Sequence, residues 1–74
     1  MKLPQVSWRD VIRALEKRGF KVKRQRGSHM VLEDDKGNVA VVPRHKVIKR
    51  GTLLSILKQA KLSRSEFLEL LRDP

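Results

Sequence analysis

Between Gly19 and Pro43 the chain is broken twice, at Arg26-Gly27 and at Asp34-Asp35-Lys36-Gly37-Asn38. Both breaks have the composition of tight turns. Phe20 and Val22 alternate with Lys21 and Lys23, which predicts a half-buried strand with a cationic face. Ser28 to Glu33 predicts a second strand. Val39-Ala40-Val41-Val42 predicts a third, which Pro43 ends because proline brings no donor to a ladder. Strands this short, joined by turns this tight, pair antiparallel. In the second strand Met30 and Leu32 alternate with His29 and Val31. Both sets hold an apolar residue, so the pattern leaves open which of them faces inward.

The rest of the chain is helical in pattern. Ser7 is a good N-cap, and Asp10 makes a capping box with Asp in the usual Glu place. Val11, Ile12 and Leu15 follow at helical spacing, with Trp8 one turn earlier; Trp8 and Phe20 are read as core. Lys17-Arg18 suit the negative end of a helix, and Gly19 suits its termination, which predicts a helix from Trp8 to Arg18. Arg44 to Arg50 reads as a basic connection, and Gly51-Thr52 as the start of a second helix with Thr52 as N-cap. Leu53, Leu54, Ile56 and Leu57 supply its apolar face. Ser63 and Glu66 form a second capping box, opening a third helix through Phe67, Leu68, Leu70 and Leu71, with Asp73-Pro74 at its end. The order is α-β-β-β-α-α. The helices are the only cover for the apolar sheet face, so the expected fold is a two-layer α+β domain over residues 1–74.

Charge decides the class of partner. Lys and Arg number 18 against 8 Asp and Glu, a formal net charge of +10. On so small a domain this implies an anionic partner. Lys21, Lys23, Arg24 and Arg26 crowd into one stretch, and Arg44, His45 and Lys46 form a second. The Gly51-Thr52 step is expected to present free N–H groups to phosphate. Aromatic residues make up only 4%, too few for the stacking platform of a single-strand binder. There is no cysteine, which excludes disulfides and thiolate metal sites and fits a reducing cytosol. No apolar run approaches a membrane span, and the N-terminal residues lack a signal-peptide pattern.

His29 follows Gly27-Ser28 directly after the first cation run. Histidine is the side chain whose unperturbed pKa lets it exchange protons near neutral pH. Cleavage of RNA requires the 2′-OH to lose its proton as it attacks phosphorus and the 5′-oxygen to gain one as it leaves. An imidazole can do either, with nearby cations holding the crowded phosphorane. The bland alternative is an ordinary strand residue, or one more phosphate contact. Gly27-Ser28 reads as permitting close backbone approach to a ligand rather than as nucleophile chemistry. His45, the only other histidine, reads as a loop residue within reach of phosphate, and no metal-ligand set is apparent.

The ordered set of these features resembles the HicA (YcfA-like) toxins of bacterial and archaeal toxin–antitoxin systems. The resemblance is carried by Arg18-Gly19-Phe20, by Arg26-Gly27-Ser28-His29 and by Val41-Val42-Pro43-Arg44-His45. It continues through Lys49-Arg50-Gly51-Thr52 to Ala60, and Leu62-Ser63 before the last helix. It implies a double-stranded-RNA-binding-domain-like fold, with helices on one face of a three-stranded antiparallel sheet. It implies a ribosome-independent mRNA endoribonuclease that arrests translation, with His29 catalytic; the lack of a metal-ligand set adds the expectation of metal-independent cleavage without a cofactor, and the lack of cysteine that of a cytoplasmic location. RNA contacts are expected from Lys21, Lys23, Arg24, Arg26, Gly27, Ser28, Arg44, His45, Lys46 and Thr52. It also implies a HicB-type antitoxin partner. Lys61 stands where such sequences often have glycine. The competing reading is a non-catalytic RNA-binding module of the same fold, in which His29 only touches backbone. A DNA-binding module is disfavoured by the lack of a helix-turn-helix pattern.

Overall fold

The first helix starts where its capping signal predicts. Asp10 donates its N–H to Ser7 Oγ at 3.2 Å, and Ser7 returns its own to Asp10 Oδ2 at 2.9 Å. The bond from the Ser7 backbone is the main reason the Asp10 carboxyl titrates below its ordinary range. The resulting helix, α1, is Trp8–Lys17, in a computed structural model that describes residues 3–72. Asp73-Pro74, expected at the end of the last helix, lie outside the described residues. Val11, Ile12, Ala14 and Leu15 are the buried face of α1. Arg18 and Gly19 turn back onto the carbonyls of Leu15 and Glu16, with Gly19 at φ +96°. Phe20 closes the turn by donating to the Leu15 carbonyl, and its ring is fully buried. Phe20 therefore belongs to the helix exit and the core, not to the strand that its alternation suggested.

Three strands follow: β1 Lys21–Arg26, β2 His29–Glu33 and β3 Val39–Pro43, antiparallel in the order β1-β2-β3. The inward set of β2 is Met30 and Leu32. Leu32, Ala40 and Val42 share one apolar cluster with α1, with Leu53, Ile56 and Leu57 of α2 (Arg50–Gln59), and with Phe67 of α3 (Arg64–Arg72). The helices thus cover one face of the sheet. α1 and α2 pack against β3, α3 packs on α1, and β1 overhangs the core. That is why Val22 remains 39% exposed although an inward position was expected to be half-buried. Asp34 holds the β2–β3 turn by accepting from the N–H groups of Lys36 and Asn38 and from Asn38 Nδ2.

Pro43 is the last residue of β3 and removes no ladder bond. Val41 donates outward, to Gln59 Oε1 of α2 at 2.9 Å, and Arg44 donates inward, to the Ser28 carbonyl at 2.7 Å. Alternation places Pro43 with Val41, on the side where β3 has no strand partner.

The second helix begins earlier than Gly51-Thr52 suggests. Lys49 is its N-cap, without a side-chain capping bond, and Leu53 donates to the Lys49 carbonyl. Thr52 is the third helical residue, not the cap. The preceding Ile48 is buried and donates to the Val6 carbonyl, which fixes the chain just before the helix. Burial, rather than capping chemistry, sets this boundary. Ser63 and Glu66 form the expected capping box, at 2.9 and 3.1 Å. Glu66 also accepts from Arg18 at 2.8 Å, tying α3 to the end of α1. The Ser63 backbone bond, then Arg18, holds the Glu66 carboxyl at about 2, against an ordinary 4.5. Its contribution is complete above the ordinary value and disappears as pH falls through about 2.

The α2 exit carries strain. Lys61 has φ +60°, and Leu62 donates to the Leu57 carbonyl across it, a glycine-type helix end built on a lysine. The left-handed conformation costs a non-glycine residue about 1–2 kcal/mol, more than the roughly 0.5–1 kcal/mol of chain entropy that glycine brings. Lys61→Gly is therefore expected to stabilise the domain by roughly 0.5–1 kcal/mol, seen as a higher urea midpoint at unchanged slope. A lower midpoint contradicts this account of the helix end.

Candidate nucleic-acid interface

Cross-strand partners point to the same side of a sheet, so the register decides which cations meet His29. Arg26 pairs with His29, Arg24 with Val31, and Lys21 with Glu33. His29, Val31 and Glu33 are the outward set of β2. Lys21, Arg24 and Arg26 thus share its uncovered face. Strict alternation back from Arg26 gives a different result: Arg24 and Val22 outward, Lys23 and Lys21 inward. The difference is a β-bulge. Val22 pairs with Leu32 and Arg24 with Val31, so Lys23 is an extra residue with no cross-strand partner. The bulge keeps Lys21 out and turns Val22 in. Lys21 lies on the cationic face as expected, and the one-residue shift at Lys23 brings Arg24 and Arg26 to the same side.

The β1–β2 turn consists of Gly27 and Ser28 alone. Gly27 has φ +56° and Ser28 does not, the pattern of a hairpin turn whose first central residue must be glycine. Gln25 Nε2 donates to the Gly27 carbonyl at 2.9 Å, and Arg44 donates to the Ser28 carbonyl. The turn is tied on both sides, and His29 is the first residue after it. His29 stands in the central strand between Arg26 and Pro43. Its side chain is exposed and makes no hydrogen bond among the described residues. Val31, next along this face, is buried although it lies outside the main core, flanked in register by Arg24 and Val41.

Arg44 and His45 leave β3 at the same end of the sheet. His45 donates to the Pro43 carbonyl at 2.8 Å and accepts at its own carbonyl from the Trp8 N–H at 3.1 Å. The start of α1 is thereby joined to the hairpin end. Trp8, expected as core, is only half-buried, and the guanidinium groups of Arg9 and Arg44 lie over its ring at 5.0 and 4.9 Å. Nothing in the helical pattern marked Trp8 or Arg9 for this place. The contact arises only when the loop after β3 closes on Ser7-Trp8. Lys46 is exposed in that loop, and Thr52 lies in the first turn of α2. No hydrogen bond joins either to the hairpin among the described residues. Among them, too, no three His, Asp or Glu side chains are grouped to hold a metal ion, and no helix is long and apolar enough to cross a membrane.

The family model described as HicA toxin of bacterial toxin-antitoxin matches residues 8–62. The chain belongs to the HicA toxin family. The matched segment runs from the first residue of α1 to the residue after the strained exit of α2. It contains the bulge, the hairpin turn, His29 and the Arg44-His45 loop, and it leaves out α3. Comparison with curated proteins gives no match. As a HicA family member the chain is one half of a toxin–antitoxin pair.

The account of the cationic face has a direct check. Deleting Lys23 removes the bulge, and alternation then gives the same outward set without it. The expected product is a folded domain in which Arg24 still lies opposite Val31, read from the cross-strand amide–amide contact between the two residues by NMR. Gln25 opposite Val31 in the deleted protein contradicts the assignment.

Proposed function

We propose that this HicA chain is a ribosome-independent mRNA endoribonuclease, acting in the cytoplasm, with His29 as its single acid–base residue. One observation carries the reading: the register that lines up Lys21, Arg24 and Arg26 with an exposed His29 on the sheet face no helix covers. RNA backbone lies along the cations, with Gly27 and Ser28 offering close approach and Arg44, His45, Lys46 and Thr52 extending the contact. His29 transfers a proton at the ribose 2′-oxygen or the departing 5′-oxygen, and Arg26, its ladder partner, stabilises charge on the phosphorane. The nucleophile is the RNA's own 2′-OH, so the products are a 2′,3′-cyclic phosphate and a 5′-hydroxyl. A HicB-type antitoxin silences the toxin by covering His29 and this face. Val39, 44% exposed, and Val41 beside Val31 supply apolar surface for it among the cations.

A non-catalytic RNA-binding role is the second reading. It is favoured by the lack of any hydrogen bond to orient the His29 imidazole among the described residues. The two readings part at His29→Ala. The nuclease reading expects cleavage to fall by about 10²–10⁴-fold, while stability stays within about 0.5 kcal/mol, because the side chain is exposed and away from caps and core. It also expects a cyclic phosphate end and full activity in EDTA. Wild-type cleavage by the variant, or loss of activity in EDTA restored by a divalent ion, contradicts it.

Binding has its own signature. With Lys21, Arg24, Arg26 and Arg44 each on one phosphate, log K against log salt should have a slope of about −3 for single-stranded RNA. A slope near zero means that the charge faces something other than a phosphate backbone.

A further inference from the structure

Two cations share one aromatic ring at the end of the sheet. The guanidinium carbons of Arg9 and Arg44 lie 5.0 and 4.9 Å from the centre of the Trp8 ring. They therefore cannot be farther apart than twice that distance. Neither forms an ion pair or a side-chain hydrogen bond among the described residues, although Arg18 on the same helix face of the molecule finds Glu66. Cation–π contacts of consequence occur about once per 70–80 residues. Two on one ring, in one small domain, without a carboxylate to balance them, call for an anion.

The α1 N-terminus is not the basis for that anion. Three of the first four N–H groups are engaged: Trp8 with the His45 carbonyl, Asp10 with Ser7 Oγ, and Val11 with the Ser7 carbonyl. The available donors are those of the two guanidinium groups. An aromatic face has no lone pair to accept them, so contact with the ring restrains the cation while leaving its N–H fork open for bidentate bonding to phosphate.

The position of Arg44 relates this pair to His29. The Arg44 N–H is bonded to the Ser28 carbonyl, one residue before His29. Pro43 is the ladder partner of His29 and faces outward with it. Arg44, one residue on, alternates to the helix side, where Trp8 lies. The cations beside Trp8 and those of β1 thus lie on opposite sides of the hairpin tip, with Gly27-Ser28 between them.

We propose that Arg44 and Arg9, held on Trp8, form a second phosphate-binding subsite that takes the RNA strand after it has crossed the Gly27-Ser28 tip. Trp8 is a positioning residue: it orders two guanidinium groups and touches no base. The inference rests on RNA being the ligand, and it adds a strand path that leaves the open sheet face at His29 and continues around the end of the sheet.

The test uses the full chain and a single-stranded RNA oligonucleotide carrying 2′-O-methyl groups, which cannot undergo internal attack. Binding is followed by anisotropy of a dye on the RNA and, separately, by the emission of Trp8, the only tryptophan. RNA is expected to change that emission in step with anisotropy. Arg44→Gln and Arg9→Gln, which leave the core untouched, should each weaken binding about fivefold at 0.1 M salt and lower the salt slope by about 0.7. Trp8→Phe and Trp8→Leu retain every charge. A positioning role predicts weaker binding for Trp8→Leu, partial recovery for Trp8→Phe, and no further loss when Trp8→Leu is added to the protein carrying both glutamines. Thermal melts identify a variant that has failed to fold, in which case the glutamine variants decide. RNA that binds with unchanged emission, and with wild-type affinity in both glutamine variants, overturns the subsite and leaves the nuclease reading standing. No RNA binding by the wild type overturns both.

Discussion

One unpaired residue sets the character of the sheet. Lys23 stands without a ladder partner, and because of it Lys21 falls on the same side as Arg24, Arg26 and His29. The alternative is strict pairing, with Lys21 and Lys23 directed toward the helices and Val22 toward water. The bulge instead turns Val22 to the helix side and gathers Lys21, Arg24 and Arg26 on the outer face of β1, beside His29 and Val31 and opposite Glu33.

The rest of the fold holds this face in position. α1 and α2 cover β3, the Gln59 amide occupies an outward N–H of β3, and Pro43 has none to offer. At the hairpin end, Arg44 is bonded to Ser28 and Trp8 to His45, so the turn before His29, the exit of β3 and the start of α1 form one connected unit. Charge is placed differently at the opposite end of α1. There Arg18 is paired with Glu66, and Lys17 Nζ donates to the Leu70 carbonyl, so those cations serve the docking of α3. Among the described residues, Arg18 is ion-paired at the end of α1, whereas Arg9 and Arg44 beside its start are not.

What could be read from the sequence follows the range of the forces involved. Both capping boxes were legible, because each is complete within four residues. The number, order and pairing of the strands were legible as well, since tight turns permit little else. Helices on one sheet face and His29 beside a cation run also appear in the structure, although the role of that histidine goes beyond geometry. The features that escaped depend on distant contacts. Phe20 belongs to the helix exit because its N–H returns to Leu15. Lys49 rather than Thr52 caps α2 because Ile48 is buried next to it. Met30 and Leu32 face the core instead of His29 and Val31 because the register is set jointly with β3. Trp8 packs at the edge of the core, and Arg44 reaches its ring only because the loop after β3 closes on the start of α1. The departure at Lys61 was visible as a missing glycine, and its consequence is a left-handed lysine.

The central claim is that nucleic acid lies on the uncovered sheet face around His29. The most direct measurement is amide chemical-shift mapping of the labelled protein titrated with an uncleavable 2′-O-methyl RNA. The account predicts the largest changes at Lys21, Arg24, Arg26, Gly27, Ser28, His29 and Val31, with α3 unaffected. Changes centred on α3 or on the Asp34–Asn38 turn, with the β1–β2 hairpin silent, contradict it.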